Sequence, residues 1–283
     1  MVVPTPTILL DLDGTLVDSQ PGILSSCRAA LRALGHTPEP SLDLSTIVGP
    51  PIEDIMRLLL EPYGDDRITE AVAAYRSDYG QRGLFSSLPY PGIAQALTSM
   101  RRSGAQLILA TSKRREFAQR ILEHIGFDGF FIAVHGSEAG GALDHKPELI
   151  SHITERHALA QGHCVMIGDR RFDIAGAHAN KMRALGVLWG YGTRDELEAA
   201  GADGLVPESE RLPTAALAMA PAGMKWPQQK SQARWAGLIQ PDRERELARR
   251  GGKGTGRFSR WTVYKQPRES IDFSLIVVIL EEA

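Results

Sequence analysis

The sequence predicts an α/β fold, a Rossmann-like parallel sheet core with an inserted α-helical module, and three observations predict it. Short apolar runs at about residues 7–12, 106–111, 131–135, 164–168 and 184–189 alternate with helical patterns, which implies a parallel sheet covered on both faces. About seventy residues, 18–89, separate the first two runs; they read as helices, and a segment that long needs packed structure of its own. Residues 1–220 hold 20 Lys and Arg against 27 Asp and Glu, whereas 221–283 hold 12 against 7, a change of sign hidden by the whole-chain charge of −2. The expected division is 1–17 and 90–218 for the sheet core, 18–89 for the helical insertion, and 219–283 for a basic, poorly ordered C-terminal extension.

The first strand, Ile8-Leu9-Leu10, runs straight into Asp11-Leu12-Asp13-Gly14-Thr15-Leu16-Val17-Asp18-Ser19. Residues i and i+2 of a strand share a face, so two carboxylates arrive together at its carboxyl end, where open α/β sheets bind ligands. A calcium loop is a poor reading, because the glycine comes too early and the preceding segment is apolar. An ordinary Asp-Gly turn is the plain alternative.

Within the insertion, Cys27 to Leu34, Ile52 to Leu60 and Ile68 to Tyr79 read as helices. Gly49-Pro50-Pro51 is either a stiff loop or a helix-initiating turn, and Arg82-Gly83-Leu84-Phe85 leads back to the core. The second strand, Gln106-Leu107-Ile108-Leu109-Ala110-Thr111-Ser112-Lys113, ends in a hydroxyl. The helix after it carries Phe117, Ile121, Leu122 and Ile125 on one side and stops before Gly126. Lys146-Pro147 places a lysine just ahead of another helical pattern. The next strand, Cys164-Val165-Met166-Ile167-Gly168, ends in Asp169, with Asp173 four residues on, and Thr193 with Glu196 forms a capping box. Taken singly, Thr111 reads as a helix cap, Lys146 as a solvated charge, and Asp169 or Asp173 as first-turn acids favoured by the helix dipole. Those plain readings would have to coincide four times in order.

The ordered set resembles the haloacid dehalogenase superfamily, and within it the small phosphatases similar to phosphoglycolate phosphatase, over residues 7 to about 218. The resemblance implies that Asp11 is the nucleophile and Asp13 the general acid and base. It implies that Thr111 and Lys146 hold the phosphoryl group, and that Asp11, the main-chain carbonyl of Asp13, and Asp169 form a magnesium site completed by Asp173. It further implies that residues 18–89 are a helical cap that closes over the site and sets substrate choice, with Gly49-Pro50-Pro51 facing the cleft.

The residue types suit the chemistry on physical grounds. A phosphate monoester is anionic, so a site must neutralise charge and align an in-line nucleophile. Magnesium is held by one or two carboxylates, waters and phosphate oxygens. A carboxylate paired with it stays ionised and can attack phosphorus, and Asp13 can protonate the leaving oxygen and then deprotonate the hydrolytic water. Gly14 lets the backbone turn closely around the phosphate, and Lys146 is a compact cation suited to a phosphoryl oxygen and to Asp11. Dehalogenases of the superfamily lack the second acid, so Asp13 favours phosphoryl chemistry. The alternative is a phosphomutase similar to β-phosphoglucomutase. Two departures weaken the assignment to phosphoglycolate in particular: Arg170 stands where serine is common, and Lys113-Arg114-Arg115 lacks a proline. Arg170, between two acids, is expected to salt-bridge one of them, with contact to substrate as the alternative.

At 283 residues and 30.9 kDa, with 43% hydrophobic residues, the chain can bury one substantial core and a smaller module. No leader-like run precedes the first strand, and no apolar run approaches the ~20 residues of a membrane span; a cytosolic monomer or homodimer acting on a small phosphorylated metabolite is expected, with phosphoglycolate leading by resemblance and sugar phosphates and 5′-nucleotides behind it. Cys27 and Cys164 fit no metal or redox spacing and read as buried free thiols. His152 and His157, five apart, read as surface residues. In the extension, Trp226, Trp235 and Trp261 interleave with basic residues, a pattern that would suit a nucleic-acid strand, although solvated charge is the simpler account. Gly251-Gly252-Lys253-Gly254-Thr255-Gly256-Arg257 is no Walker loop, and Leu275 to Leu280 is too short to span a bilayer.

Overall fold

The computed structural model describes residues 5–38, 50–138, 141 and 143–220. Gly49 of the Gly-Pro-Pro loop and the features of the C-terminal extension, namely Trp226, Trp235, Trp261, Gly251 to Arg257 and Leu275 to Leu280, lie outside the described residues.

In chain order the elements are β1 (Thr7–Leu10), β2 (Val17–Asp18), α1 (Gln20–Ala33), α2 (Ile52–Leu60), α3 (Ile68–Gln81), β3 (Leu88–Pro89), α4 (Ile93–Arg102), β4 (Gln106–Arg114), α5 (Arg115–His124), β5 (Ala133–Ser137), α6 (Lys146–Arg156), β6 (Cys164–Gly168), α7 (Arg171–Ala179), β7 (Arg183–Val187), α8 (Arg194–Ala199), β8 (Gly204–Val206) and α9 (Leu212–Met219). Six strands form one parallel sheet in the order β5-β4-β1-β6-β7-β8. The two-residue period of the strands sorts their side chains into two cores. Ile8, Leu10, Leu107, Leu109, Val165 and Ile167 pack with Leu97 of α4, Ile121 of α5 and Ala216 of α9. Leu9, Ile108 and Met166 pack on the other face with Ile150 and Ile153 of α6 and Ile174 of α7. Each fully buried Leu or Ile contributes about 1.5–3 kcal/mol of transfer free energy.

β1 lies between β4 and β6, with Leu10 level with Leu109 and with Ile167. The carboxyl ends of the three central strands are therefore flush, and whatever follows Leu10, Leu109 and Ile167 meets at one edge. The register of β4 against β5 shifts between Ala110 and Arg114; such an irregularity re-aims side chains next to a site.

Several boundaries differ from the sequence expectation. Helix α1 begins at Gln20 rather than near Cys27, because Ser19 precedes a Pro in the first turn and Ile23 and Leu24 are already buried. β5 starts at Ala133 rather than 131, since Asp128–Phe130 makes a single tight turn first. β7 ends at Val187 rather than 189, where Trp189 turns away to donate from Nε1 to the Thr15 carbonyl at 3.0 Å. After α5, Gly126 adopts φ +72°, and Phe127 N bonds Leu122 O at 2.7 Å, as a glycine-terminated helix requires.

Helices α1–α3 lie between β2 and β3. Ile23, Leu31, Met56, Leu60, Val72 and Tyr75 are buried among them. The two chain crossings between these helices and the sheet pair as an antiparallel ribbon, Val17 with Pro89 and Asp18 with Leu88.

Candidate active site

The flush strand ends deliver the motif residues to one cleft. Asp11 follows β1, its amide bonded to Ile167 O at 2.9 Å, so the first carboxylate is locked beside the end of β6. Gly14, at φ +80°, turns the chain back, and Gly14 N bonds Val17 O at 2.9 Å. A Cβ on Gly14 would collide with the Asp169 carboxylate and the Tyr191 ring. The glycine is thus required by Asp169 and Tyr191 packing against it, a reason additional to the close approach of a phosphate expected from sequence.

Lys146 opens α6 and is 4% exposed. Its Nζ lies 2.8 Å from Asp11 Oδ1 and 2.6 Å from Asp173 Oδ1, and donates to Ala110 O at 2.8 Å. Burial works against this ammonium, but Asp11 and Asp173 together outweigh it and hold it above the usual lysine range. Asp169, fully buried, accepts from Tyr191 N at 2.8 Å and from the Thr15 hydroxyl at 3.3 Å. Its carboxyl is pushed well above the usual range by burial first, then by Asp173 and Asp11. Burial likewise raises Asp173, to about 6, against the pull of Lys146.

Carboxylate oxygens of Asp11, Asp169 and Asp173 lie within 4.8 Å of one another. Three buried carboxylates facing one ammonium leave an excess of negative charge, and all-oxygen donors of this kind suit a hard divalent cation. The residues present therefore fit the cation that the family resemblance implies.

Thr111, 1% exposed, sits in the irregular stretch of β4 and accepts from Lys113 N at 3.2 Å. Lys113, two residues further on, was given no role by sequence. Its Nζ is 2.9 Å from Asp13 Oδ2 and donates to the Tyr79 hydroxyl of α3 at 2.9 Å. The signal was the two-residue spacing from Thr111, which puts both on one face of a strand. Asp13 Oδ1 is buried without a hydrogen-bond partner among the described residues, so Lys113 holds one oxygen of this carboxylate and the two oxygens differ in their surroundings.

The cleft, roughly 820 Å³ including its open mouth, has Asp11, Asp13, Thr111 and Lys146 on its floor. Pro50, Pro51, Ile55, Tyr75, Arg76 and Tyr79 from the inserted helices and Phe117 and Phe172 from the sheet side wall it. Pro51 also caps α2, so the Pro-Pro segment both faces the cleft and starts a helix. Arg76 is paired with Glu53 at 2.8 Å.

Some side chains went elsewhere than expected. The Arg170 guanidinium salt-bridges Glu196 at 2.9 Å, where a bridge to a flanking aspartate was expected, and its amide donates to Asp173 at 3.2 Å. Thr193 caps α8 by accepting from Glu196 N at 3.1 Å, but the Glu196 carboxylate that a capping box would turn back is spent on Arg170 and on the Arg171 amide. Cys27 and Cys164 are buried free thiols, as expected. His157 does not stand alone on the surface: its Nε2 is 2.9 Å from Nε2 of buried His135, whose ring also meets His152 at 5.6 Å. The described residues include no helix long and apolar enough to cross a membrane.

Comparison with known proteins agrees with this geometry. The sequence profile of the haloacid dehalogenase-like hydrolases matches residues 8–187. The chain is 42% identical over 196 residues to a 5′-nucleotidase of Pseudomonas aeruginosa, covering 69% of this chain and 87% of that one. It is 38% identical over 192 residues to the tyrosine-protein kinase PtkA of Mycobacterium tuberculosis, covering 68% of this chain and 65% of that protein. The crystal structure of a "predicted phosphatase" from Clostridium acetobutylicum superposes with a TM-score of 0.69 at 34% identity, covering 76% of this chain and 99% of that one.

Proposed function

The chain belongs to the haloacid dehalogenase-like hydrolases, and from that membership and the cleft we propose that it is a magnesium-dependent phosphatase of small phosphorylated metabolites, acting through an aspartyl-phosphate on Asp11. The observation that carries the reading is the pairing of Asp11 with Lys146 beside a second, differently held carboxylate, Asp13.

In this reading Asp11 attacks phosphorus in line with the leaving oxygen. Asp13 protonates that oxygen as the ester bond breaks, then takes a proton from the water that hydrolyses the acyl phosphate. Lys146 and Thr111 hold phosphoryl oxygens, and Lys146 also fixes the attack direction of Asp11. Asp11, the Asp13 carbonyl and Asp169, supported by Asp173, would hold the magnesium, which when bound supplies the positive charge that a phosphate dianion needs. Lys113 orients Asp13 by occupying one of its oxygens. Residues 18–89 act as the cap, and Tyr75, Tyr79 and Phe117 exclude water from the reacting atoms.

For the substrate, the apolar and aromatic part of the wall, Ile55, Tyr75, Tyr79, Phe117 and Phe172, suits a phosphomonoester carrying a ring better than a two-carbon acid. The relative named a 5′-nucleotidase favours the same choice, so nucleoside monophosphates rank ahead of sugar phosphates and phosphoglycolate.

The test is phosphate release from a panel of nucleoside monophosphates, hexose phosphates and phosphoglycolate, with magnesium and with excess chelator. Release that needs magnesium and is fastest on a nucleotide is expected. No release, with glucose 1-phosphate converted to its 6-isomer, would replace the phosphatase by a phosphomutase.

A further inference from the structure

We infer that Tyr191 is a positioning residue that fastens the outgoing chain crossing between the sheet and the helices α1–α3 to the core, and through the β2–β3 ribbon the return crossing, and so controls how those helices stand over the cleft. The inference rests on reading residues 18–89 as a cap.

The Tyr191 hydroxyl accepts hydrogen bonds from Ser19 N at 2.9 Å and Gln20 N at 3.1 Å, and donates to Asp18 Oδ1 at 2.9 Å. These three residues are the outgoing crossing, from β2 into α1. The return crossing, which begins at Tyr90 after β3, is tied to the outgoing one by the pairing of Leu88 with Asp18. Tyr90 N in turn bonds Leu16 O at 3.0 Å. One phenol is therefore bonded to the outgoing covalent link, to which the return link is paired, and any movement of α1–α3 must use both.

The other end of Tyr191 belongs to the core. Its amide donates to Asp169 Oδ2 at 2.8 Å, and two residues earlier Trp189 is bonded to the Thr15 carbonyl. The ring lies against Gly14, where a Cβ would meet both it and Asp169. The ring is wedged and cannot follow a moving cap, so a hinge motion at residues 18–20 has to break its bonds to Tyr191. Hinge residues are expected at such element termini, and here the anchor that restrains them also contacts a cation-site carboxylate.

Tyr191→Phe in the full chain removes the hydroxyl and keeps the main-chain bond to Asp169. The expected result is amide exchange about fivefold to tenfold faster at Ser19, Gln20 and the segment 88–91, with β6, β7 and α7 unchanged, since one net hydrogen bond is worth about that factor. In the kinetic assay KM is expected to rise at least about threefold while kcat stays within about twofold. Unchanged exchange at both crossings, or acceleration spread evenly over the sheet, would overturn the inference; the second pattern is what a merely structural tyrosine gives. If Tyr191→Phe does not fold, Asp18→Ala, which removes the acceptor of the same hydroxyl, must show the same local pattern. Exchange needs no substrate, so a failure of the phosphatase reading leaves this test intact.

Discussion

Lys113 is ion-paired with Asp13, Nζ to Oδ2 at 2.9 Å, at the point where the inserted helices meet the strand ends. The ammonium is 7% exposed and also bonds the Tyr79 hydroxyl of α3, so a carboxylate of the floor, a lysine of β4 and a phenol of the insertion form one chain. Burial opposes the charge on Lys113, yet Asp13 and Tyr79 hold it above the usual lysine range. Lys113→Met is expected to lower kcat by about 10–100-fold and change KM little, because Asp13 loses its orientation while the phosphoryl pocket survives. Steady-state kinetics decides it: a raised KM with kcat preserved would make Lys113 a substrate-binding residue instead.

Asp11→Asn is expected to reduce phosphate release by more than about 10³-fold, since an amide cannot form the acyl phosphate. The fold should survive, because the change removes one of three crowded carboxylates at the cost of the Lys146 pair, leaving Lys146 bound to Asp173 and Ala110. A melting temperature close to that of the parent, measured beside the kinetics, separates lost chemistry from lost structure. Normal turnover would remove Asp11 as the nucleophile.

How much of this site was legible from the residues follows from what each residue depends on. Asp11, Asp13, Thr111, Lys146, Asp169 and Asp173 occupy strand ends and a helix start, positions that short-range periodicity reveals, and a parallel sheet then brings them together. Five of the six core strands were legible for the same reason; β8, only the three residues Gly204–Val206 at the sheet edge, is too short to show a period. Lys113, Tyr191 and the true partner of Arg170 were not, because each is defined by a contact across the fold: Tyr79 is 34 residues from Lys113, and Asp18 is 173 from Tyr191. Glu196 looked like half of a capping box, since local spacing carries no record of a guanidinium arriving from α7's entrance. The packing of Asp169 and Tyr191 against Gly14 was out of reach similarly, both neighbours coming from distant parts of the chain.

Magnesium is expected to raise the melting temperature of the protein, and Asp169→Asn to abolish that rise. With Asp11, Asp169 and Asp173 grouped within 4.8 Å, burial and mutual repulsion strain the ionised state that a cation would relieve. Saturation at a hundredfold excess over Kd corresponds to about 2.7 kcal/mol of added stability. Thermal unfolding with and without magnesium reads this directly and needs no substrate. An equal rise in the Asp169→Asn variant would place the cation elsewhere.

Stability should also depend on pH through His135, remote from these carboxylates. His135 is 8% exposed on β5, faces His157 and His152 of the α6 region, and lies near Arg156 and Arg115. Burial first, then these neighbours, pushes it down from 6.5 to about 4. Between those values the unfolded chain binds a proton that the folded chain refuses, so the contribution is fully present above pH 6.5 and is lost as pH falls toward 4. The slope cannot exceed about 1.4 kcal/mol per pH unit, and the whole effect is at most about 3 kcal/mol. Carboxylates titrate in the lower part of the same window, which is why the informative quantity is a difference. Urea unfolding of the parent and of His135→Gln from pH 7.5 to pH 4.5 should show the parent losing stability more steeply below pH 6.5. Parallel curves would mean that His135 takes up its proton as readily in the folded protein as in the unfolded chain, and that the contact with His157 opens at no cost.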